Sequence, residues 1–263
     1  MSSQSNLGTA LVTGASSGIG EVYADRLARR GYDLVIAGRN ADRLSALAGR
    51  LAAETGRKVE TIAADLAVPA ELAKVEARLR SDATITLLVN SAGLANTGPL
   101  AEADPAALES MLSVNVIALT RLAAAAAAAF AARKHGAIIN LASAMAFLDT
   151  PNTAAYGPSK AYVLNFTLSL DLELKPQGVQ VQAVLPGYTR TPMIGGGSHL
   201  PAEIVMDVEE LVDAALVGFD RHELVTIPSL PDDGDYAAWF AARQALQPNL
   251  SRDRAAPRYG VGR

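Results

Sequence analysis

Residues 13–20 read TGASSGIG and join a short apolar strand pattern, ALVT (10–13), to a helical pattern. The glycines Gly14, Gly18 and Gly20 permit a tight turn and let a ligand approach the backbone closely. A helix that begins after such a turn binds phosphate through its free N–H groups and its dipole. The segment therefore predicts a phosphate-binding turn, although an ordinary turn between a strand and a helix also uses glycines.

The rest of the chain repeats this order of a short strand followed by a longer helix. Strand patterns occupy residues 10–13, 33–37, 59–63, 86–90, 137–142, 179–185 and 224–227, and helical patterns occupy about 18–30, 40–55, 69–80, 105–134, 155–175 and 207–219. Several strands are continuously apolar, which is expected where helices cover both faces of a parallel sheet. We predict an α/β fold, a doubly wound Rossmann-type parallel sheet of about seven strands flanked by helices.

The chain shows no shift in composition and no linker, so we predict a single domain over residues 1–263. The regular pattern lapses at about residues 190–206, where we expect a substrate loop. Residues 231–263 are predicted to form a polar C-terminal extension with one short helix around Tyr236–Leu246. In a doubly wound sheet, ligands bind at the carboxyl ends of the strands, where the strand order reverses.

Composition excludes several classes of function. Half of the 263 residues are hydrophobic and 19% are charged, which suits a folded domain with a sizeable core. The net charge of −4 gives no electrostatic argument for binding nucleic acid or an anionic membrane. Because the chain has no cysteine, disulfides, thiolate nucleophiles and cysteine-ligated zinc are excluded. The histidines His135, His199 and His222 lack the spacing of metal ligands, so we predict no metal site.

The N-terminus and the apolar runs favour a cytoplasmic location. The start, MSSQSNLGTA, is polar and is not typical of a secretory signal. The longest purely apolar run near the middle of the chain, LAAAAAAAFAA (122–132), is shorter than the ~20 residues that span a bilayer. We therefore expect a cytoplasmic protein.

The segment AAYGPSKAYVLNF (154–166) places Tyr156 four residues before Lys160, one helical turn away. An ammonium group beside a phenol favours the phenolate and lowers a pKa that is ordinarily about 10. Such a tyrosine donates a proton near neutral pH, which makes Tyr156 a candidate general acid. The alternative is an aromatic residue and a solvated charge on one face of a helix.

The second strand ends in AGRN (37–40), near the position at which a carboxylate would bind the ribose 2′-hydroxyl of NAD. This sequence has Gly38 there, followed by Arg39. An arginine holds a 2′-phosphate and stacks on an adenine, and Arg43, one turn later, is a candidate second contact. The segment therefore favours NADP(H) over NAD, with a solvated arginine at a strand end as the alternative.

Taken together, these segments resemble the short-chain dehydrogenase/reductase family, in the compact subfamily with the glycine spacing Gly-xxx-Gly-x-Gly. The resemblance covers about residues 8–228, and its motifs stand in family order: TGASSGIG, Asp65-Leu66, NSAG (90–93), Asn115, Ser143, YGPSK (156–160) and PGYTRTP (186–192). One departure is Ser91, where the commoner family pattern has a second asparagine. Since serine is small and polar, we expect the turn to keep its shape.

The resemblance implies a role for each of four residues. Tyr156 would protonate the carbonyl oxygen as hydride arrives, and Lys160 would lower the pKa of Tyr156 and bind the nicotinamide ribose. Ser143 would hold the substrate oxygen, and Asn115 would anchor a water that relays protons to Lys160. Taken singly, Ser143 is better explained as a turn cap, and Asn115 as a satisfied polar group in a helix.

The resemblance also implies which residues contact NADP(H). In this family, the segment after the third strand contacts the adenine and the segment after the fourth strand lines the cofactor. The segment after the sixth strand contacts the nicotinamide. The predicted set is Gly14, Ser16, Ser17, Gly18, Ile19, Gly20, Arg39, Asn40, Arg43, Asp65, Leu66, Asn90, Ala92, Gly93, Tyr156, Lys160, Pro186, Gly187 and Thr189.

Topology places mostly apolar side chains near the substrate, and they indicate a moderately hydrophobic ketone or aldehyde. Arg190 is close enough in sequence to leave an anionic substrate group open. The predicted pocket residues are Leu94, Met145, Phe147, Leu148, Tyr188, Met193 and Ile194.

We therefore expect an NADP(H)-dependent carbonyl reductase or alcohol dehydrogenase that acts on a small-molecule carbonyl or alcohol. The alternatives are an NAD-preferring alcohol dehydrogenase and a non-catalytic nucleotide-binding sensor or scaffold on the same fold. The resemblance further implies that the alanine-rich helix and the helix bearing Tyr156 pair across a two-fold axis in a homodimer or homotetramer.

Overall fold

The computed structural model describes residues 7–198 and 200–261, so His199 lies outside the described residues. The chain divides into two compact units, Met1–Pro228 and Ser229–Arg263. This boundary lies close to the predicted start of the C-terminal extension at residue 231.

Seven parallel strands form the sheet of the first unit, in the order β3-β2-β1-β4-β5-β6-β7. They are β1 (Thr9–Thr13), β2 (Asp33–Gly38), β3 (Val59–Ala63), β4 (Ile85–Asn90), β5 (Gly136–Leu141), β6 (Val179–Val184) and β7 (Val225–Thr226). The strand order reverses between β1 and β4, so a crevice opens at their carboxyl ends. The predicted doubly wound parallel sheet is confirmed.

Helices cover both faces of this sheet. They are α1 (Gly18–Arg30), α2 (Ala41–Thr55), α3 (Pro69–Ser81), α4 (Pro105–Leu112), α5 (Leu119–Arg133), α6 (Tyr156–Leu174) and α7 (Val208–Asp220). One apolar core joins the sheet to α1, α2 and α7, and a second joins it to α3, α5 and α6. Neighbours such as Leu11 and Val12 belong to opposite cores, which explains why the strands are apolar without alternation.

The predicted helix at 105–134 is interrupted in the structure. α4 ends at Leu112, residues Ser113–Ala118 form a π-helical turn, and α5 begins at Leu119. Asn115 lies inside this turn and is buried. A π turn inserts one residue into the helix and re-aims the side chains around it, and such turns are frequent at functional sites.

The helical segment Pro105–Arg133 is 29 residues long, with a mean hydropathy of 1.7 in its most apolar window. By length and composition this segment is able to cross a membrane. The apolar run at 122–132 by itself is too short to do so. Half of that window is buried within the protein, where α5 packs against α3 and the sheet. A buried core helix passes the same test, so this property alone does not indicate a membrane span.

The C-terminal unit carries an aromatic cluster on α8 (Gly234–Ala245), which begins two residues before the predicted helix. The ring centroids of Tyr236 and Trp239 are 5.7 Å apart, and Phe240 lies 6.1 Å from Tyr236. The Arg243 guanidinium lies 5.7 Å from the centre of the Trp239 ring, within range of a cation–π contact.

Candidate active site

The turn after β1 packs directly against the segment after β4. Gly14 has a φ of +69°, and a Cβ atom there would lie 2.8 Å from the Cα of Ala92. A Cβ at Gly20 would lie 2.5 Å from the carbonyl oxygen of Gly14. Both distances are too short for a side chain, so glycine is required at these positions for the turn to close.

The hydroxyl of Thr13 holds these two segments together. It accepts the backbone N–H groups of Ser91 and Ala92, each at 3.1 Å, and donates to the Val89 carbonyl at 3.4 Å. The turn at Ser91 therefore depends on backbone groups and not on a second asparagine side chain. Sequence analysis gave Thr13 no role. The available signal was a hydroxyl residue at the end of β1, directly before the glycine turn.

A cleft opens above this contact, at the carboxyl ends of the first four strands. Among the predicted cofactor residues, it is lined by Gly14, Ser16, Ser17, Gly18, Ile19, Gly20, Arg39, Asp65, Leu66, Ala92 and Gly93. The other lining residues include Leu94 and Met193 of the predicted substrate set, with Gly38, Ala64, Ser91, Val114, Thr191 and Pro192. Bare backbone at a helix N-terminus, apolar walls and an arginine at the edge fit the phosphates and rings of a dinucleotide.

The end of β2 offers this cleft a cation and no carboxylate. A Cβ at Gly38 would lie 3.3 Å from the Ser16 hydroxyl, so a larger side chain there would project toward the cleft. Arg39 is exposed at the edge of the cleft. Arg43 lines a neighbouring groove that shares Ser16 and Ser17. The cleft and this groove adjoin, so the two arginines border neighbouring parts of one surface, and their joint action stays a prediction.

The side chains of two predicted cofactor residues, Asn40 and Asn90, form hydrogen bonds within the protein. Asn40 is the N-cap of α2, and its Oδ1 accepts the backbone N–H of Arg43 at 2.9 Å. Asn90 is buried at the end of β4, and its amide donates to Oδ1 of Asn140 in β5 at 3.0 Å. Their side chains therefore fix the start of α2 and the pairing of two central strands.

The segment after β6 packs against Ser143. The Ser143 hydroxyl donates to the Pro186 carbonyl at 3.3 Å and caps a short 3₁₀ turn by accepting the Met145 N–H at 3.2 Å. Gly187 and Thr189 follow, and the Thr189 hydroxyl donates to the Gly187 carbonyl at 3.1 Å. The carboxyl ends of β5 and β6, which carry a predicted catalytic group and the predicted nicotinamide contact, are therefore tied together.

The candidate catalytic pair lies at the start of α6. Tyr156 is the first residue of the helix, and Lys160 is buried one turn later. Lys160 Nζ donates to the Leu141 carbonyl at 3.0 Å and lies 5.8 Å from the centre of the Tyr156 ring. A Cβ at Gly93, which lines the cleft, would lie 3.5 Å from Nζ. The structure therefore brings Lys160 to the end of the cofactor cleft.

Burial dominates the protonation of this pair. It raises the pKa of Tyr156 above the ordinary 10.0, while hydrogen bonding to the Ser143 hydroxyl acts in the opposite direction. Burial also lowers the pKa of Lys160 to about 8. The net direction for Tyr156 is upward because its own loss of water dominates, and the predicted lowering of this pKa by the Lys160 ammonium stays a prediction. The Tyr156 phenol is therefore protonated at neutral pH.

Asn115 clamps the backbone of Leu94. Its Oδ1 accepts the Leu94 N–H at 2.8 Å, and its Nδ2 donates to the Leu94 carbonyl at 2.9 Å. The same Nδ2 donates to the Ser159 hydroxyl at 3.2 Å. Of the two interpretations of Asn115, the satisfied polar group describes its side chain here, and the anchored water stays a prediction.

The predicted substrate loop is closed at its base. A parallel bridge joins Thr189 to Met206, and the Arg190 N–H donates to the Met206 carbonyl at 2.9 Å. The Arg190 guanidinium forms an ion pair with Asp207 at 2.8 Å. Arg190 therefore already has a carboxylate partner, which weakens the case for an anionic group on the substrate.

Of the predicted substrate residues, Leu94 and Met193 line the cleft. Leu148, Tyr188 and Met193 are about half exposed, at 52%, 49% and 50%. Large apolar side chains that remain exposed beside a cleft are typical of a ligand-binding surface. The remaining predicted pocket residues, which are all partly buried, are Leu94, Met145, Phe147 and Ile194.

Comparison with known proteins identifies the family. The family model described as short chain dehydrogenase matches residues 8–198, which is most of the first unit. The chain belongs to the short-chain dehydrogenase/reductase family. It is therefore an oxidoreductase of a family that uses a nicotinamide cofactor and acts on small molecules.

Individual relatives of this short-chain dehydrogenase match over nearly their whole length. An uncharacterised oxidoreductase of Staphylococcus saprophyticus is 34% identical, over 83% of this chain and 93% of its own. A short-chain dehydrogenase from Sphingobium yanoikuyae, solved in complex with NADPH, is 50% identical, with a TM-score of 0.93 over 96% of this chain and 100% of its own. A bulky-bulky ketone specific alcohol dehydrogenase from Comamonas testosteroni is 46% identical, with a TM-score of 0.91 over 97% and 99%.

Sequence analysis of this dehydrogenase also gave no role to Ser159. This serine lies inside the YGPSK segment, and it is 2% exposed. Its hydroxyl donates to the Tyr156 carbonyl at 2.7 Å, in addition to accepting from Asn115. The available signal was a hydroxyl residue between Tyr156 and Lys160, directly before the lysine.

The buried charge of Lys160 generates a prediction for stability. The pKa of this lysine is 10.5 in the unfolded chain and about 8 in the folded chain. Below about pH 8 the lysine is charged in both states, so the folded protein then bears the whole free-energy cost of the buried charge. We expect Lys160→Met to raise the free energy of unfolding at pH 7 by ~1–3 kcal/mol, since removing the charge outweighs one lost hydrogen bond. The gain should shrink as the pH rises from 8 to 10.5.

Urea unfolding of the protein without cofactor, at several pH values in that window, measures the difference. Lys175→Met, at an exposed lysine directly after α6, is the matched control and should change stability little. A Lys160→Met variant that is less stable than the wild type at pH 7 would contradict this prediction.

Proposed function

We propose that this protein is an NADP(H)-dependent carbonyl reductase or alcohol dehydrogenase with Tyr156 as its general acid and base. The observation that carries the proposal is the meeting of Ser143, Tyr156 and Lys160 at the end of a cleft suited to a dinucleotide. When bound, the nicotinamide cofactor supplies or accepts the hydride. A non-catalytic sensor or scaffold would have no need of a buried lysine beside a partly buried tyrosine.

The roles of the protein groups follow from their protonation and position. In reduction, the Tyr156 hydroxyl donates its proton to the substrate oxygen, which the Ser143 hydroxyl also holds. Lys160 is buried beside Tyr156, and its charge stabilises the phenolate that forms when the proton leaves. In oxidation, the same groups act in reverse, with Tyr156 accepting the proton.

We propose bulky, uncharged ketones and their secondary alcohols as the substrate class. The apolar side chains of Leu94 and Met193 line the cleft, and the one arginine of the substrate loop is paired with Asp207. The Comamonas testosteroni relative, which is 46% identical over 97% of this chain, is described as specific for bulky-bulky ketones. A panel of ketones with large groups on both sides of the carbonyl is therefore the first set to assay.

The first prediction of this proposal concerns the catalytic acid. Tyr156→Phe keeps the ring and removes the proton donor, so the fold and NADPH binding should survive. Turnover of a ketone should fall by ~10²-fold or more, as measured by NADPH consumption. Tyr259→Phe, which removes an exposed hydroxyl in the C-terminal unit, is the control and should retain turnover. Near-normal kcat in Tyr156→Phe would refute the assignment.

The second prediction concerns the choice of cofactor. Arg39 lies at the edge of the cleft beside Gly38, and the Sphingobium yanoikuyae relative was solved with NADPH. A charge-assisted hydrogen bond to a phosphate contributes ~1.5–3 kcal/mol, so NADPH should bind ~10- to 100-fold more tightly than NADH. Because Arg39 is exposed, salt screens its charge, and we expect the ratio of the two affinities to lie toward the lower end of this range.

Titration of both cofactors into arginine variants tests this preference. Arg39→Ala should weaken NADPH binding and leave NADH binding nearly unchanged, because only the phosphate contact is lost. Arg39→Asp should invert the preference, since a carboxylate repels the phosphate and accepts the ribose hydroxyl. Arg43→Ala, in the neighbouring groove, should have the smaller effect. Equal loss of both cofactors in Arg39→Ala would show that Arg39 is structural.

We also propose a homodimer or homotetramer assembled through the face that carries Leu112, Ile117 and Tyr162. These side chains are 42%, 53% and 39% exposed on α4, the π turn and α6. Symmetric pairing of such a face is the common route to closed oligomers. Sedimentation at micromolar protein should show a species at least twice 27.3 kDa, and Ile117→Asp should shift it toward the monomer. A wild-type monomer would refute this proposal.

A further inference from the structure

Ser159 uses both of its hydrogen-bonding capacities inside the active site. Its hydroxyl donates to the Tyr156 carbonyl at 2.7 Å, so its single proton is committed to the backbone of the catalytic helix. Its oxygen is then left as an acceptor, and Nδ2 of Asn115 donates to it at 3.2 Å. Both side chains are buried, at 2% and 1% exposure, so these bonds do not compete with bulk water.

This arrangement gives the Asn115 amide only one satisfactory orientation. Because the Ser159 hydroxyl accepts and does not donate toward Asn115, the NH₂ end of the amide must face it. The amide oxygen then faces the N–H of Leu94, which it accepts at 2.8 Å, and the second N–H of Nδ2 reaches the Leu94 carbonyl at 2.9 Å. A rotated amide would place two acceptors against each other at Ser159 and two donors against each other at Leu94.

The clamped segment lies beside the reacting groups. Leu94 lines the cleft, and the preceding residue, Gly93, approaches both Asn115 and Lys160. A Cβ at Gly93 would lie 3.5 Å from Oδ1 of Asn115 and 3.5 Å from Nζ of Lys160. The amide orientation at Asn115 therefore sets the distance between this wall of the cleft and the catalytic lysine.

We propose that Ser159 is a positioning residue. Together with the Leu94 backbone it fixes the Asn115 amide, and through that amide it holds residues 93 and 94 against the catalytic pair. The inference rests on the proposed function, because it concerns the reaction assigned to Tyr156 and Lys160. Ser159 does not touch the substrate in this scheme and acts only through its two neighbours.

Ser159→Ala tests this role by leaving one N–H of the Asn115 amide without a partner. One unsatisfied buried polar group corresponds to roughly a tenfold effect, so kcat/KM for a bulky ketone should fall ~10-fold. The affinity for NADPH should stay within ~3-fold of wild type, since the glycine turn and Arg39 lie outside the network. Ser159→Thr, which retains the hydroxyl, should recover most of the loss.

A double-mutant cycle separates positioning from general destabilisation. If Ser159 acts through Asn115, then Ser159→Ala should lower kcat/KM by less than ~3-fold in an Asn115→Ala background. If the double variant loses kcat/KM by the product of the two single losses, the inference is overturned. Wild-type kinetics in Ser159→Ala would also overturn it. Ser169→Ala, at an exposed serine on the same helix, is the matched control and should leave the kinetics unchanged.

Folding and the proposed function are checked in the same experiment. Far-UV circular dichroism and thermal unfolding establish that each variant is folded at the assay temperature. If Ser159→Ala does not fold, Ser159→Cys repeats the test with a side chain of similar size and weak hydrogen bonding. Full activity in that cysteine variant would overturn the inference. Absence of ketone-dependent NADPH consumption in the wild type would instead refute the proposed function.

Discussion

The contact between the Thr13 hydroxyl and the backbone N–H groups of Ser91 and Ala92 is the constraint on which the site depends. It joins the turns after β1 and β4, the two strands between which the winding of the sheet reverses. At such a point the following helices leave toward opposite faces, and a crevice opens. Because Gly14 and Ala92 meet at backbone distance, the floor of this crevice is closely packed, and the cofactor cleft lies directly above it.

The second constraint is the burial of Lys160. The lysine is buried near the ends of β4 and β5. Within the described residues its Nζ donates a hydrogen bond only to the Leu141 carbonyl. A buried ammonium opposes folding, and the apolar cores on the two faces of the sheet offset that effect. Loss of water also raises the pKa of the neighbouring Tyr156, so the packing that destabilises the fold also opposes formation of the phenolate. Active sites commonly carry such local conflicts between stability and function.

Much of this architecture was predictable because its signals are local. Continuous apolar runs separated by helical periodicity are enough to indicate a parallel sheet covered on both faces, and seven strands are present as expected. The break at Ser113–Ala118 was not predictable, because the apolar pattern of residues 105–134 suits an unbroken helix equally well. The side chain that lies in this break, Asn115, bonds to Leu94, which is 21 residues earlier in the chain. Nothing in the local pattern records that contact.

The sequence by itself determined the fold class, the glycine turn and the spacing of Tyr156 and Lys160, since each follows from short-range periodicity or from the conformational freedom of glycine. Only the tertiary structure decided that Arg39 borders the cleft while Arg43 lies in the next groove. It also decided that Asn115 donates to Ser159, and that burial raises the pKa of Tyr156. The physical reason is the same in each case. Burial and hydrogen-bond partners are set by segments that are distant in the chain and meet only when the sheet has formed.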